Sequence, residues 1–331
     1  MFKNMYFSKF LFSFGVIAAG LFSGYALQIL VRKEIIRLPM DLDRLRKLVL
    51  RTTLLTFLPA TVIGAVWSIK INDPRIGALP FLGGFSLFLG GAFALTLSRV
   101  LRLGRPQSGS LFVCGFFANL GAVGGLICYV FLGEAGFGFV PIYRLFEEFL
   151  YYMVGFPVAR LYATEVNEGE SFVDRFRKAS FDPLILVSVF SITAGGALNL
   201  SGIARPGFYR TVNSILIPLT TVAFHVPIGM AMKVETVRHY LKESVLLSLI
   251  RFLAVPSIVS SLGFLLGYGH IGGGLVLKVV IILSSMPVAF MALIPPSLYD
   301  LDLDLANSCW LFTTGLLVLV LPWLYFVIQL V

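Results

Sequence analysis

Residues 115–126 read GFFANLGAVGGL: an amide, Asn119, and the glycines Gly121, Gly124 and Gly125 stand at mid-depth of an otherwise apolar, helix-length run. Glycine frees the backbone and weakens a helix, and lipid cannot satisfy the N–H and C=O groups that a weakened helix releases. Such a run has to be buried in protein or line a wet cavity. A second place of this kind is Ser284-Ser285-Met286-Pro287, where proline removes a donor and crowds the preceding turn. Read together, they are interruptions at corresponding positions of two halves of one chain.

The surrounding sequence puts both in a bilayer. Of 331 residues, 58% are hydrophobic and 13% charged, with a mean hydropathy of +0.91, far from the balance of soluble domains. A hydrocarbon core of about 30 Å takes about 20 apolar residues per helical span. Apolar runs between polar breaks predict ten: 7–30, 46–69, 77–99, 108–132, 137–162, 182–201, 209–231, 243–268, 272–299 and 305–330. The first lacks a small-residue cleavage site and reads as a retained helix rather than a signal peptide. Cys114, Cys128 and Cys309 lie in apolar runs without a CxxC pair or histidine cluster, so they read as packing residues, with neither disulfides nor a metal site implied.

A net charge of +9 would suggest nucleic acid in a soluble protein; here the basic residues sit in short loops, and no nucleic-acid partner is expected. Odd-numbered loops are rich in them: Arg32, Lys33, Arg37, Arg44, Arg46 and Lys47, then Arg99, Arg102 and Arg105, then Arg175, Arg177 and Lys178, then Lys233, Arg238 and Lys242. The positive-inside rule predicts both termini outside the cytoplasm, in a plasma (inner) membrane. The polar run 163–180 divides the spans five and five, giving a first five-helix repeat at 1–163, a cytoplasmic linker at 164–181 and a second at 182–331. An odd number of spans per half makes any repeat an inverted one. The halves share a spacing: Arg51-Thr52 then Leu58-Pro59-Ala60-Thr61, and Arg210-Thr211 then Ile217-Pro218-Leu219-Thr220.

The Asn119-x-Gly121-x-x-Gly124 pattern, the Pro218 to Gly229 stretch, and Ser285-x-Pro287 followed by the Tyr299-Asp300 turn carry a resemblance over nearly the whole length. The chain resembles the auxin efflux carrier family, bacterial relatives of the plant auxin exporters. It departs at Leu126, where that family usually has proline, so the first break rests on glycines alone. The resemblance implies an all-α polytopic fold of ten transmembrane helices in two inverted five-helix repeats, with broken, crossing helices four and nine. It also implies kinship with bile-acid symporters and sodium/proton antiporters, an elevator-type movement of a transport domain against a scaffold, and a homodimer as an allowed assembly. Members of the family export or exchange carboxylate anions such as auxin, malate or malonate.

The expected substrate site is Asn119, Gly121 and Gly124 with Ser284, Ser285 and Pro287, where half-helix N-termini would offer N–H donors and partial positive charge to a small organic anion. Ionisable groups in the spans are few, and each is costly. Glu147 and Glu148, near Arg144, read as an ion pair or a proton-accepting site, and His225 as a packing histidine or a proton-coupling one. Lys278 and Arg251 would each pair with a substrate carboxylate or an acidic side chain, or snorkel to the interface; Lys278, about two turns before the second break, is the better placed to see an anion. Asp300, Asp302 and Asp304 read as a solvated turn, lacking the glycine and terminal glutamate of a calcium loop. No HExxH, GxSxG, Walker loop or paired membrane aspartates occur, so neither an enzyme nor a nucleotide-driven pump is expected, and no cofactor. Two other readings stay open. A sodium-coupled symporter would need more oxygen ligands than Asn119, Ser284 and Ser285; a sensor that kept the fold without transport is favoured by Leu126.

Overall fold

The computed structural model describes residues 2–36, 38–69, 73–163, 181, 183–232 and 238–331, and every regular element in them is helical. The expected linker, save Phe181, lies outside the described residues, as do Arg37, Lys233 and the fifth-loop basic residues. Helix α1 is Phe2–Arg32. Helix α2 runs through Leu42–Thr52, a π turn at Thr53–Phe57 and Leu58–Ser68. A 3-10 turn, Pro74–Ala78, leads into α3, Leu79–Val100; Asp73 caps that turn, accepting from the Arg75 N–H at 2.9 Å. Hydrogen bonds from Arg75 hold the Asp73 carboxyl down to about 2. Next come α4, Arg105–Phe116, and α5, Gly125–Tyr143, which follows a π turn at Leu120–Gly124. Helix α6 is Glu147–Leu150, a π turn at Tyr151–Gly155, then Phe156–Arg160. Pro183–Leu200 is α7 and Phe208–Gly229 is α8. Helix α9 joins Leu241–Leu249, a π turn at Ile250–Ala254 and Val255–Leu265. Leu275–Ser284 is α10, Ile294–Leu298 is α11 and Leu303–Gln329 is α12.

Seven helical stretches among the described residues are long and apolar enough to cross a membrane. The difference from ten has local causes. The fourth and fifth expected spans run on as one 41-residue stretch, Leu120–Arg160, bent at Gly133, whose φ of 74° suits glycine. The sixth and ninth survive as shorter apolar helices, Leu186–Leu200 and Leu275–Ser284, the ninth ended by the break at Ser285.

Three of the π turns share a sequence cause. Each is followed by an α segment with proline second: Leu58-Pro59, Phe156-Pro157 and Val255-Pro256. Proline lacks an N–H and its ring collides with the carbonyl four residues back. In all three that carbonyl belongs to the middle residue of the π turn (Leu55, Met153, Phe252), and the wider turn relieves the collision. Pro218 and Pro227 of α8 are accommodated without one.

The chain packs as two compact units, each drawing on both halves of the sequence. One comprises Met1–Lys70, Gly121–Pro141 and Val187–Met232; the other Ile71–Leu120, Ile142–Leu186 and Lys233–Val331. In the first unit α1 lies against α8 at backbone contact. A Cβ on Gly24 would overlap the Val226 carbonyl, one on Gly229 the Leu21 carbonyl, and one on Gly20 would lie 2.6 Å from the His225 Cβ. Small residues set this separation, as they do between helices in lipid. Gly24→Val is expected to lower stability by about 1–3 kcal/mol, while Gly15→Ala, which meets nothing within 4 Å, leaves it unchanged. Melting in detergent, followed with a thiol-reactive dye that reaches the buried Cys128 only on unfolding, checks the pair; equal midpoints would deny the close packing.

The same unit holds two polar ties. Asn199 of α7 donates from Nδ2 to the carbonyls of Val66, at 3.1 Å, Trp67, at 3.0 Å, and Ile69, closing the end of α2. Beyond the kink at Gly133, Glu134 meets Arg205: Nη1 bonds Oε1, and Nη2 bonds Oε2 at 2.8 Å. Asn213 of α8 donates to Glu134 Oε1 at 2.7 Å, and Arg205 Nη1 also reaches the Gly64 carbonyl of α2 at 2.9 Å.

Candidate functional site

The second unit contains both interruptions, and it sets them against each other. After α4 ends at Phe116, Phe117 turns extended, with φ −91° and ψ 113°. After α10 ends at Ser284, the chain reaches Ala289 in an extended conformation, φ −74° and ψ 149°. Ala118 and Val288 form an antiparallel bridge: the Asn119 N–H donates to the Pro287 carbonyl and the Ala289 N–H to the Phe117 carbonyl, both at 2.9 Å. Backbone groups that the broken helices release are thereby satisfied by one another, as burial demands. Neighbouring helices supply the rest. Tyr151, from the π turn of α6, accepts from the Ala118 N–H at 3.0 Å, and Thr313 of α12 accepts from the Val288 N–H at 3.3 Å.

One cation serves both broken ends. Arg251, in the π turn of α9, is 1% exposed. It donates from Nε and Nη2 to the Met286 carbonyl, at 3.1 and 2.7 Å, and from Nη1 to the Gly115 carbonyl, at 3.2 Å. The Gly115 carbonyl belongs to the last turn of α4, the negative end of that helix's dipole, and the Met286 carbonyl lies two residues past the end of α10. A single guanidinium matches the pair, and no carboxylate among the described residues forms an ion pair with it. Gly90 of α3 makes the room: a Cβ there would overlap the Gly115 carbonyl and lie 3.1 Å from Arg251 Nη1.

A second charged group adjoins the crossover. Arg144 pairs through Nε with Glu147 Oε2 and through Nη2 with Glu148 Oε1, at 2.6 Å. Glu147 is 5% exposed, and its Oε1 lies 2.9 Å from the Tyr151 hydroxyl, which is also 3.0 Å from the Ala118 carbonyl.

Of the expected site residues, Asn119, Ser284, Ser285 and Pro287 lie together in this unit and are buried. The serine hydroxyls are turned to their own helix, Ser284 donating to the Val280 carbonyl and Ser285 to that of Ile281, each at 2.7 Å. Gly121 and Gly124 lie just past the point where the chain passes into the other unit. Lys278 is half-buried on the first turn of α10. His225 is in the first unit, buried on α8, its Nδ1 2.7 Å from the Thr221 carbonyl and its Nε2 unpartnered. The acidic run does more than form a solvated turn: Asp302 caps α12, accepting from the Leu305 N–H at 2.9 Å and from the Tyr240 hydroxyl at 2.6 Å. Sequence alone does not single out Tyr151, and the partners it offers Arg251, an anion, an acidic side chain or the interface, give way in the structure to the Met286 and Gly115 carbonyls. The local signal for both was a proline five or six residues downstream in a span, which marks a π turn and a redirected side chain.

No family model matches the chain. It is similar to an uncharacterized transporter of Methanothermobacter thermautotrophicus, 24% identical over 234 residues, covering 71% of this chain and 72% of that protein. It is also similar to an uncharacterized transporter of Methanocaldococcus jannaschii, 25% identical over 240 residues, covering 72% and 74%. With seven apolar helices of spanning length among the described residues, the chain is a polytopic, helical integral membrane protein similar to proteins named as transporters.

Proposed function

We propose that this protein is a secondary transporter that moves small organic anions, carboxylates above all, by alternating access, with the crossover as its binding place. The reading includes ten spans as two inverted repeats in a plasma membrane, both termini outside the cytoplasm. Arg251 is the observation that carries it. It is bonded to the Gly115 and Met286 carbonyls and pairs with no carboxylate among the described residues, so a buried positive charge at the crossover is left without a counter-charge, which suits an anion. The same bonds argue against sodium coupling at this place. A sodium ion there would need carbonyl oxygens, and those of Gly115 and Met286 are held by the guanidinium.

Asn119 provides the test. Its backbone N–H makes the bond to Pro287, which Asn119→Ala leaves in place while removing the amide proposed to donate to the anion. A hydrogen bond to a charged group is worth about 1.5–3 kcal/mol, which corresponds to a fall of roughly ten- to a hundredfold in uptake efficiency. Uptake of radiolabelled malate, malonate and aromatic carboxylates into proteoliposomes, with and without imposed proton and sodium gradients, measures this. Absence of saturable flux for every carboxylate in wild-type protein would refute the carrier reading.

A further inference from the structure

The contacts of the Tyr151 hydroxyl do not fit an ionised Glu147. A phenol has one hydrogen to give, yet Tyr151 Oη stands within hydrogen-bond distance of two acceptors, Glu147 Oε1 at 2.9 Å and the Ala118 carbonyl at 3.0 Å. Its lone pairs already receive the Ala118 N–H at 3.0 Å. With Glu147 ionised, one of those two close oxygen pairs has no hydrogen in it. A proton on Glu147 Oε1 supplies the missing one: the carboxyl donates to Tyr151 Oη, and the Tyr151 O–H is free to donate to the Ala118 carbonyl.

Charge counting gives the same answer independently. Arg144 is shared by two carboxylates, Glu147 through Oε2 and Glu148 through Oε1. Ionised together they leave this buried group with an excess negative charge, which is costly in a low-dielectric interior; a proton on Glu147 Oε1 makes it neutral and keeps both bonds to Arg144. Among the described residues no other cation pairs with Glu147 or Glu148. Helix α3, packed on this segment, places Gly84 against Leu150; its one ionisable side chain, Arg99, is about four helical turns further along. Arg251 of α9 is bonded to the crossover carbonyls of Met286 and Gly115 instead. Arg105, the ionisable side chain at the start of α4, is engaged with the Leu161 carbonyl at 2.7 Å.

We infer that Glu147 is a proton-binding site wired to the crossover, and that its titration switches the Tyr151 hydroxyl between two acceptors. While the proton is bound, Tyr151 holds Ala118 by both its N–H and its carbonyl, pinning the strand that pairs with Val288. When Glu147 releases its proton to water, the Tyr151 hydrogen turns to the new carboxylate. The Ala118 carbonyl then keeps the Leu120 N–H, at 2.9 Å. Low pH therefore favours the pinned crossover, and rising pH loosens it. The proton site stands on these contacts alone; its consequence for flux rests on the transport reading above.

Infrared difference spectroscopy in a detergent without ester groups tests the site directly. Wild-type protein at neutral pH is expected to show a protonated-carboxyl band that is lost as pH rises, missing from Glu147→Gln and retained in Glu148→Gln. In Tyr151→Phe, where the carboxyl loses its acceptor, that band moves to higher frequency. An unchanged spectrum in Glu147→Gln would overturn the inference, as would a band that disappears only in Glu148→Gln. Should Glu147→Gln fail to fold, an unshifted band in Tyr151→Phe overturns it instead. Flux of the same radiolabelled carboxylates adds the functional arm: Glu147→Gln, a mimic of the protonated form, is expected to transport without the wild type's pH dependence. Saturable wild-type flux whose pH profile is unaltered in Glu147→Gln would refute the link to transport while leaving the carrier reading intact.

Discussion

Arg251→Met is expected to abolish carboxylate flux and to be among the least stable single variants of this protein. The substitution keeps most of the aliphatic stem, so packing loss is small and charge loss dominates. Three hydrogen bonds disappear, leaving the Gly115 carbonyl at the end of α4 and the Met286 carbonyl just past α10 buried with no donor from α9. Bonds to charged groups contribute about 1.5–3 kcal/mol each, but two of these share one acceptor and the site relaxes in part. A net cost of about 3–5 kcal/mol, the range for stripping one partner from a buried ionic contact, follows. Arg251→Lys separates charge from geometry. A lysine ammonium is a point charge that cannot fork across both carbonyls, so it is expected to recover part of the stability and leave flux about tenfold down. Thiol-dye melting and proteoliposome uptake read the two quantities. A wild-type midpoint for Arg251→Met would mean that the guanidinium does not hold the crossover together, and the anion reading would lose its main support.

The membrane class and the places where helices stop were legible in the sequence because both depend on local composition. Apolar runs of spanning length predicted the spans, and the proline after Ser285 falls where α10 gives way to extended chain, whereas α4 stops before Asn119 and the glycines after it lie in the π turn that resumes the helix. What the breaks do for each other was not legible. The bond from Asn119 to Pro287 joins residues far apart in the chain, and nothing in either neighbourhood encodes the pairing. Arg251 illustrates the gap. A basic residue in an apolar run can snorkel, pair with an acid or cap carbonyls, and only packing chooses. The serines show another side of this: hydroxyls beside a break look available for a ligand, and only packing shows that both donate to carbonyls of their own helix. The span count differed for a similar reason, since a positive-φ glycine bends a helical stretch that composition alone divides in two.

In the first unit the largest effect is expected from Arg205→Met, through what it leaves behind. Glu134 and Arg205 are only 15% and 17% exposed at their side chains, and the pair joins α5, the segment before α8, Asn213 of α8 and the Gly64 carbonyl of α2. Without the guanidinium, a poorly hydrated carboxylate keeps one neutral donor, Asn213, so the loss approaches but does not reach that of a fully buried pair: about 2–4 kcal/mol. Removing the stranded charge as well should restore stability. Arg205→Met combined with Glu134→Leu is expected to melt above Arg205→Met alone, although the Asn213 amide, whose Oδ1 is already unpartnered, then lacks its acceptor and holds the double variant below wild type. Adding Asn213→Leu takes away that last unsatisfied group and should raise the midpoint again. This order is opposite to the one expected if each residue contributed independently, because then every further substitution would lower stability. Melting curves of the wild-type, single, double and triple variants decide between the two, and a steady decline along the series would reduce this cluster to separate contacts rather than one coupled tie.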